Sequence, residues 1–325
     1  MISIVTGGAG FIGSHLVDRL VKLKHKVIVL DNLSTGRIEN IRHNLNKIKF
    51  IKCDLSKIGD WKIYFKKADY VFHLAALADL VPSINNPTKY FHSNVVGTLN
   101  VLKLSKDYKI KKIVYTASSS CYGIPKNYPT NEKENIDMRH PYALTKRMGE
   151  ELILHWSKVY KVKSISLRLF NVYGTRSRTS SNYGAMFGVF LSQKIKQKPF
   201  TVVEDGNQLR DFLYVSDVVD AIVRAAKSKI YGEIFNVGSG CPVSVLDIVN
   251  LLKGKYVFIP KRPGEPDITH ADIKKIKKYL QWIPKISIKK GINILLQNID
   301  YWKSAPLWTP KNIKVATKDW FKYLK

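Results

Sequence analysis

The first thirteen residues constrain this chain more than any other stretch. A short apolar run of strand type, Ile2 to Val5, meets Gly7, Gly10 and Gly13, spaced every third residue, and a helical pattern follows at once. Ile12, Leu16, Leu20 and Leu23 recur at helical spacing along one face. A turn that passes straight from strand into helix leaves the N–H groups of the helix N-terminus facing whatever binds above it. Glycine there allows positive φ, or removes the Cβ that would hold a ligand away. The form is Gly-x-x-Gly-x-x-Gly, offset from the more familiar Gly-x-Gly-x-x-Gly of dinucleotide-binding βαβ units. Isolated glycines mark ordinary turns, but glycines that end a strand and open a helix point to a bound pyrophosphate.

The alternation continues along the chain. Lys26 to Leu30 reads as a second strand and ends at Asp31, whose carboxylate can accept hydrogen bonds from both adenosine ribose hydroxyls. It would repel a 2′-phosphate, so NAD is favoured over NADP, with Arg37 the one nearby residue that works against this preference. A third strand, Ile48 to Cys53, delivers Asp54 and Leu55 as an adenine clamp, and a fourth, Tyr70 to Leu74, delivers the small residues Ala75 and Ala76. A long helix is expected over Pro87 to Lys109, containing Asn94. A fifth strand, Lys112 to Ala117, runs into Ser118-Ser-Ser-Cys-Tyr-Gly123, at the carboxyl end of a strand where parallel sheets place their ligands. The next helix opens at Pro141. Tyr142 and Lys146, four apart, share one of its faces. A sixth strand, Ser164 to Leu169, ends in Phe170-Asn171-Val-Tyr-Gly174. The expected fold class is α/β, a doubly wound parallel-sheet Rossmann domain that binds NAD and carries a smaller α/β substrate-capping region.

Beyond residue 170 the pattern is less regular. Helical pieces (Met186 to Lys196, Asp217 to Lys227, Val245 to Leu252) alternate with short strands (Thr201 to Val203, Ile234 to Val237, Tyr256 to Ile259) and with Pro/Gly punctuation such as Lys261-Arg-Pro-Gly-Glu-Pro266. The expected division is 1–170 for the NAD-binding domain, with some later chain returning to it, 171–300 mainly for substrate, and 301–325 as a Trp- and Lys-rich tail. Trp302, Trp308 and Trp320 read as packing anchors of a terminal helix.

Composition narrows the setting. With 325 residues, 45% of them hydrophobic, the chain can bury a substantial core. No run of about eighteen apolar residues predicts a membrane span. Three scattered cysteines suggest a reducing compartment and no zinc or other metal site, hence a cytoplasmic protein. The formal charge of +29 is spread over lysines throughout the chain without a basic arm or nucleic-acid motif. It reads as a solvated surface whose field draws anionic substrates, not as a nucleic-acid interface.

The ordered set Thr6-Gly-Gly-Ala-Gly-Phe-Ile-Gly13, Asp31-Asn-Leu33, Asp54-Leu55, Leu74-Ala-Ala76, Ser118, Tyr142-x-x-x-Lys146, Leu167-Arg-Leu-Phe-Asn171, Gly206 and Arg210-Asp-Phe212 resembles the extended short-chain dehydrogenases/reductases. Within them it is most similar to the nucleotide-sugar epimerases and dehydratases, nearest to UDP-hexose 4-epimerases. The resemblance runs from residue 2 to about 300. It implies Tyr142 as catalytic base, Lys146 lowering its pKa and holding the nicotinamide ribose, and Ser118 on the reacting sugar oxygen. It also implies cofactor contacts from Gly7, Gly10, Phe11, Ile12, Gly13, Asp31, Asn32, Asp54, Leu55, Leu74, Ala75, Ala76 and Asn94. Asn171, Arg210 and Arg262 would hold the diphosphate and its neighbourhood, Glu265 the nucleotide ribose, and the small Thr269 would border the sugar's 2-substituent, leaving room for an N-acetyl group.

Related 4,6-dehydratases carry an Asp-Glu pair where this chain has Ser119 and Ser120, and decarboxylating relatives place a glutamate near the same loop. Their absence leaves 4-epimerisation through a 4-keto sugar as the expected reaction, on UDP-glucose/galactose or UDP-N-acetylglucosamine. A dehydratase, a keto-sugar reductase and a non-catalytic NAD-sensing regulator are the alternatives. The resemblance also implies a homodimer, paired through two long helices from each subunit.

Overall fold

The computed structural model describes residues 1–177 and 185–324. Its strands begin with β1 (Ile2–Thr6), β2 (Lys26–Asp31), β3 (Ile48–Lys52), β4 (Tyr70–His73), β5 (Lys112–Ser118) and β6 (Ser164–Leu169). They continue with β7 (Val172–Tyr173), β8 (Phe200–Val203), β9 (Leu209–Arg210), β10 (Leu213–Tyr214), β11 (Glu233–Val237), β12 (Val243–Ser244) and β13 (Tyr256–Ile259). The first helices are α1 (Phe11–Lys22), α2 (Leu80–Asn85), α3 (Pro87–Phe91), α4 (Gly97–Asp107), α5 (Pro141–Val159) and α6 (Met186–Ile195). The remainder are α7 (Val215–Lys227), α8 (Val245–Leu252), α9 (Lys274–Leu280), α10 (Ile288–Gln297), α11 (Pro310–Ala316) and α12 (Lys318–Tyr323).

Seven strands form one sheet in the order β11-β6-β5-β4-β1-β2-β3, every neighbouring pair parallel. The direction of winding reverses between β1 and β4, and this is where open parallel sheets leave a crevice. Thr6 pairs with Leu30 on one side and His73 on the other, so the residues that follow, Gly7, Asp31 and Leu74, emerge along one edge. Val29, Leu16, Val17 and Leu20 bury one face of the sheet together with Val218 and Ile222 of α7. Leu102, Val101 and Ile153, from α4 and α5, bury the other face with Ile4, Val71 and Tyr115. Strands covered on both faces explain the near-continuous apolar runs that made them legible.

The structure adds detail to two of these elements. The helix expected over 87–109 runs unbroken from Pro87 to Asp107 and carries a π-helical turn, His92–Val96, between α3 and α4. The turn's extra residue swings Asn94 inward, where its amide donates to the Leu77 carbonyl (3.0 Å) and the Thr145 hydroxyl (3.1 Å) and its oxygen accepts from the Leu77 N–H (2.8 Å). The chain after residue 170 serves both lobes. α7 packs on α1, β11 extends the main sheet, and α9 packs against β11.

The second lobe has its own core around α6, α8, α10 and the parallel pair β8–β13, with Phe190, Phe200, Ile248, Leu295 and the fully buried Trp302 at its centre. Asp211, buried between the lobes' loops, accepts hydrogen bonds from the N–H groups of Gly240 (3.1 Å) and Ala271 (2.8 Å) and fixes where β9 ends. Among the described residues no helix is long and apolar enough to cross a membrane, and no group of three or more His, Cys, Asp and Glu side chains is placed to hold a metal ion.

Candidate active site

A cleft of about 630 Å³ runs along the carboxyl edge of the sheet and into the second lobe. Its first part is built from the glycine turn. Gly7 has φ +69°, and a Cβ there would stand 2.8 Å from the Ala75 backbone N and Cα. A Cβ on Gly13 would collide with the Gly7 carbonyl oxygen. Either side chain would push the turn away from the cleft. α1 starts at Phe11 with Gly10 before it and no side-chain cap, so its positive end is left to a ligand. Gly7, Gly10, Phe11, Ile12 and Gly13 all line the cleft.

Asp31 lines it too, only 7% exposed. Its two oxygens accept from the N–H groups of Ala9 (2.9 Å) and Leu33 (2.8 Å). Burial raises its carboxyl pKa, while those two hydrogen bonds pull it down. Each oxygen keeps lone-pair capacity for a ribose hydroxyl. Arg37, the residue that could have favoured a 2′-phosphate, rests its guanidinium on the Tyr301 ring, 4.7 Å from the centroid. Asn32, Asp54, Leu55, Leu74, Ala75 and Ala76 form the remaining walls, joined by Ser34 and Thr35, which the sequence reading did not single out. Asn94, next to Ser93 of the cleft wall, is buried and holds the loop after β4 through Leu77.

Ser118, Tyr142 and Lys146 meet at the end of β5 beside α5, just beyond the cleft walls, which reach Thr116 and Asn171. His140 caps α5 by accepting the Ala143 N–H at Nδ1 (3.2 Å), and Pro141 occupies the first turn. This cap places Tyr142 at the helix start. Burial lowers the His140 pKa to about 4, so its imidazole is neutral where it lies parallel to the Tyr142 ring.

Burial also raises the Tyr142 pKa, and the hydrogen bond with Ser118 opposes that shift. Ser118 is itself tied to the Ser120 hydroxyl at 2.9 Å. Lys146 is buried with Nζ 4.2 Å from the Tyr115 ring centroid. Burial drives its pKa down to about 7, and Glu150 pulls it back up. Glu150 is pinned by Arg168 (2.7 Å) and Ser166 (2.8 Å), and Arg168 also donates to the Tyr122 hydroxyl (2.7 Å). This buried network fixes α5 against β5 and β6, and so fixes the spacing of the three polar groups.

The second lobe closes the other half. Asn171, Arg210, Arg262 and Glu265 line the cleft. Arg210 Nη2 lies 3.1 Å from Glu265 Oε1, and Arg262 Nη1 lies 3.6 Å from Glu265 Oε2. Glu265 Oε2 is buried with no hydrogen-bond donor, an acceptor suited to a hydroxyl. Thr269 is tied to Asn171, a residue of the cleft wall. Its hydroxyl donates to Asn171 Oδ1 (2.8 Å) and accepts the Asp211 N–H (3.0 Å), so it stands behind Asn171.

Gln208 went unnoticed in the sequence. It lines the cleft with its amide N–H on the Val203 carbonyl (2.8 Å) and its Oε1 buried and unpaired. Its place between Gly206 and Arg210 was the available signal. In the tail Trp302 is a core anchor of the second lobe and Trp320 is the buried residue of α12, while Trp308 and Trp320 also line the cleft.

Residues 3–238 match the family model described as the NAD dependent epimerase/dehydratase family. A UDP-glucose 4-epimerase of Mycolicibacterium smegmatis is 33% identical over 302 residues, spanning 90% of this chain and 96% of the relative. UDP-glucuronic acid decarboxylase 4 of Arabidopsis thaliana is 33% identical over 306 residues, spanning 91% of this chain and 68% of the relative. Among solved structures, a UDP-N-acetylglucosamine 4-epimerase from Methanobrevibacter ruminantium in complex with UDP-N-acetylmuramic acid superposes with TM-score 0.85 at 31% identity, covering 91% of this chain and 98% of that one. The reversal between β1 and β4, the glycine turn that opens α1 and this likeness over nine-tenths of the chain lead to one conclusion: the chain belongs to the NAD-dependent epimerase/dehydratase family.

Proposed function

We propose that the chain inverts C4 of a nucleotide-activated hexose through a 4-keto intermediate. The observation that carries this reading is the Ser118–Tyr142–Lys146 group at the end of β5 and the start of α5, with hydroxyls and not carboxylates at positions 119 and 120. The glycine turn, Asp31 and the walls after β3 and β4 would hold NAD, which would supply reversible hydride acceptance when bound. Tyr142 removes the proton from the C4 hydroxyl. Its phenolate form is favoured by the Ser118 hydrogen bond, by the start of α5 and by Lys146 when that side chain is charged. Ser118 steadies the reacting oxygen. Arg210 and Arg262 hold the diphosphate, since guanidinium forks match phosphate oxygens, and Glu265 Oε2, which accepts no hydrogen bond within the protein, accepts from the nucleotide ribose.

The decarboxylase relatives favour a second reading, loss of CO₂ from a UDP-uronate. Ser119 and Ser120 weigh against it, because neither can serve as the acidic group that the resemblance places at this loop. Retention of all three polar groups likewise weighs against a non-catalytic NAD-sensing regulator. Incubation with a panel of UDP-hexoses, UDP-N-acetylhexosamines and UDP-glucuronate, followed by proton NMR, tests the reaction. C4 inversion supports the proposal; a UDP-pentose and CO₂, or a 4-keto-6-deoxy sugar, refutes it. The exposed apolar side chains Phe91, Leu99 and Leu144 on α3, α4 and α5 fit an isologous homodimer through these helices.

A further inference from the structure

We propose that Gln208 reads the base of the bound nucleotide, its Oε1 accepting the ring N–H of a keto-type base. That donor is N3–H in uracil or thymine and N1–H in guanine, whereas cytosine and adenine turn a lone pair there. This rests on the nucleotide-sugar reading above and names the class of base that it leaves open. Gln208 is 7% exposed and lies in the cleft wall, one residue before β9. Its amide nitrogen donates to the Val203 carbonyl at the end of β8 (2.8 Å). A carbonyl can only accept, so this bond fixes the two ends of the amide: nitrogen on Val203, oxygen turned away from it. No described residue donates to that buried oxygen. A buried acceptor without a donor carries a free-energy cost that a bound N–H removes.

Position along the cleft makes that donor a base. Asp211, which follows β9, accepts the N–H of Gly240 (3.1 Å), just beyond the end of β11 in the main sheet. Arg210, one residue back, meets Glu265, and the reading above places these two at the diphosphate and the ribose. Gln208 lies two residues further back, about 7 Å along an extended chain and on the same face, tied to β8 of the second lobe. It therefore sits on the side of Arg210 away from the main sheet, where Ser118 ends β5. A nucleotide sugar runs in the same order, from hexose through diphosphate and ribose to base. The neighbouring polar groups of β8 and α6 bond to one another and to the tail. Gln193 accepts the Thr201 N–H (3.2 Å) and donates to the Thr201 hydroxyl (2.9 Å) and the Trp308 carbonyl (2.7 Å), and Ser192 donates to the Pro306 carbonyl (2.9 Å). These bonds hold Pro306 and Trp308 in the cleft wall. Flat, largely apolar walls take up any base ring and do not tell one from another. A fixed acceptor does, because the wrong base sets two lone pairs against each other.

The test uses the full chain loaded with NAD, so that ADP cannot enter the cofactor end, and calorimetry with UDP, CDP, GDP and ADP. UDP against CDP is the pyrimidine comparison and GDP against ADP the purine one; the pair that binds tighter shows which ring size the cleft takes. Within that pair the keto-type base should bind about tenfold tighter or more, the scale of one buried hydrogen bond gained against an acceptor left bare. Gln208→Met, or Gln208→Leu where the methionine chain does not fold, should weaken the keto-type base alone and bring the two within about twofold. Gln208→Glu keeps an oxygen for the ring N–H and should retain most of the preference. Equal wild-type affinities within the pair overturn the proposal. So does a preference that survives intact in Gln208→Met, or a loss that falls equally on both bases, because Gln208 would then only brace Val203. Wild-type protein that binds none of the four nucleotides refutes the nucleotide-sugar reading itself, whereas binding without discrimination refutes only the role of Gln208.

Discussion

Lys146→Met should make the NAD-free protein more stable at neutral pH while abolishing turnover. Lys146 is 4% exposed, and burial drops its pKa from an ordinary 10.5 to about 7. The sign follows from proton counting. Between about pH 7 and 10.5 the unfolded chain holds a proton on this lysine that the folded chain does not, so stability rises with pH across that window. Below about 7 the penalty is complete. At roughly 1.4 kcal/mol per pH unit, the gap corresponds to a cost on the order of 4–5 kcal/mol at low pH. The contact with the Tyr115 ring returns about 2 kcal/mol of that. Methionine has similar length, no charge and favourable sulfur–ring contacts, so it should recover a net gain on the order of 2 kcal/mol at pH 7. Urea unfolding of both proteins at pH 7 and pH 10.5, read as the difference between them, removes the titration of the other lysines. The advantage should fade towards zero at the higher pH. A variant that is less stable at pH 7, or a difference that does not change with pH, would refute the reasoning. It would show that Lys146 is not held as a costly, largely desolvated ammonium.

Four further outcomes are expected. Tyr142→Phe should retain NAD but lose about 10²-fold or more in turnover, and the wild-type rate should rise with pH as the burial-raised Tyr142 ionises; near-normal turnover in the variant excludes Tyr142 as the base. Gly13→Ala should purify without bound NAD, because its Cβ meets the Gly7 carbonyl; stoichiometric NAD by absorbance after denaturation would contradict this. Wild-type protein should select NAD⁺ over NADP⁺ and lose that selectivity in Asp31→Ser, measured by calorimetry, with equal wild-type affinities counting against Asp31 facing the ribose. Leu99→Glu with Leu144→Glu should convert a homodimer into a monomer by light scattering at micromolar concentration, and a wild-type monomer would remove the four-helix interface.

The elements that local pattern specifies were legible in the chain itself. β1, β4, β5 and β6 are buried on both faces and read as apolar runs, and the glycine turn reads directly because any Cβ at Gly7 or Gly13 meets backbone. Asp31 and the Tyr142/Lys146 pair follow from strand ends and helical spacing, which are local properties. Spacing could not reveal what depends on contacts far apart in sequence. Asn94 sits on a long helix, and its bonds to Leu77 and Thr145 across the β4 loop accompany a π turn that no periodicity announced. The bond of Thr269 to Asn171, 98 residues away, is likewise invisible to spacing. The aromatic tail carries no periodicity that separates a core tryptophan from one in the cleft. Trp302 and Trp320 look alike as letters, and packing alone buried one in the second lobe and laid the other beside Arg262. Side-chain periodicity reports which face of an element is apolar, whereas the partner of that face is chosen by long-range packing.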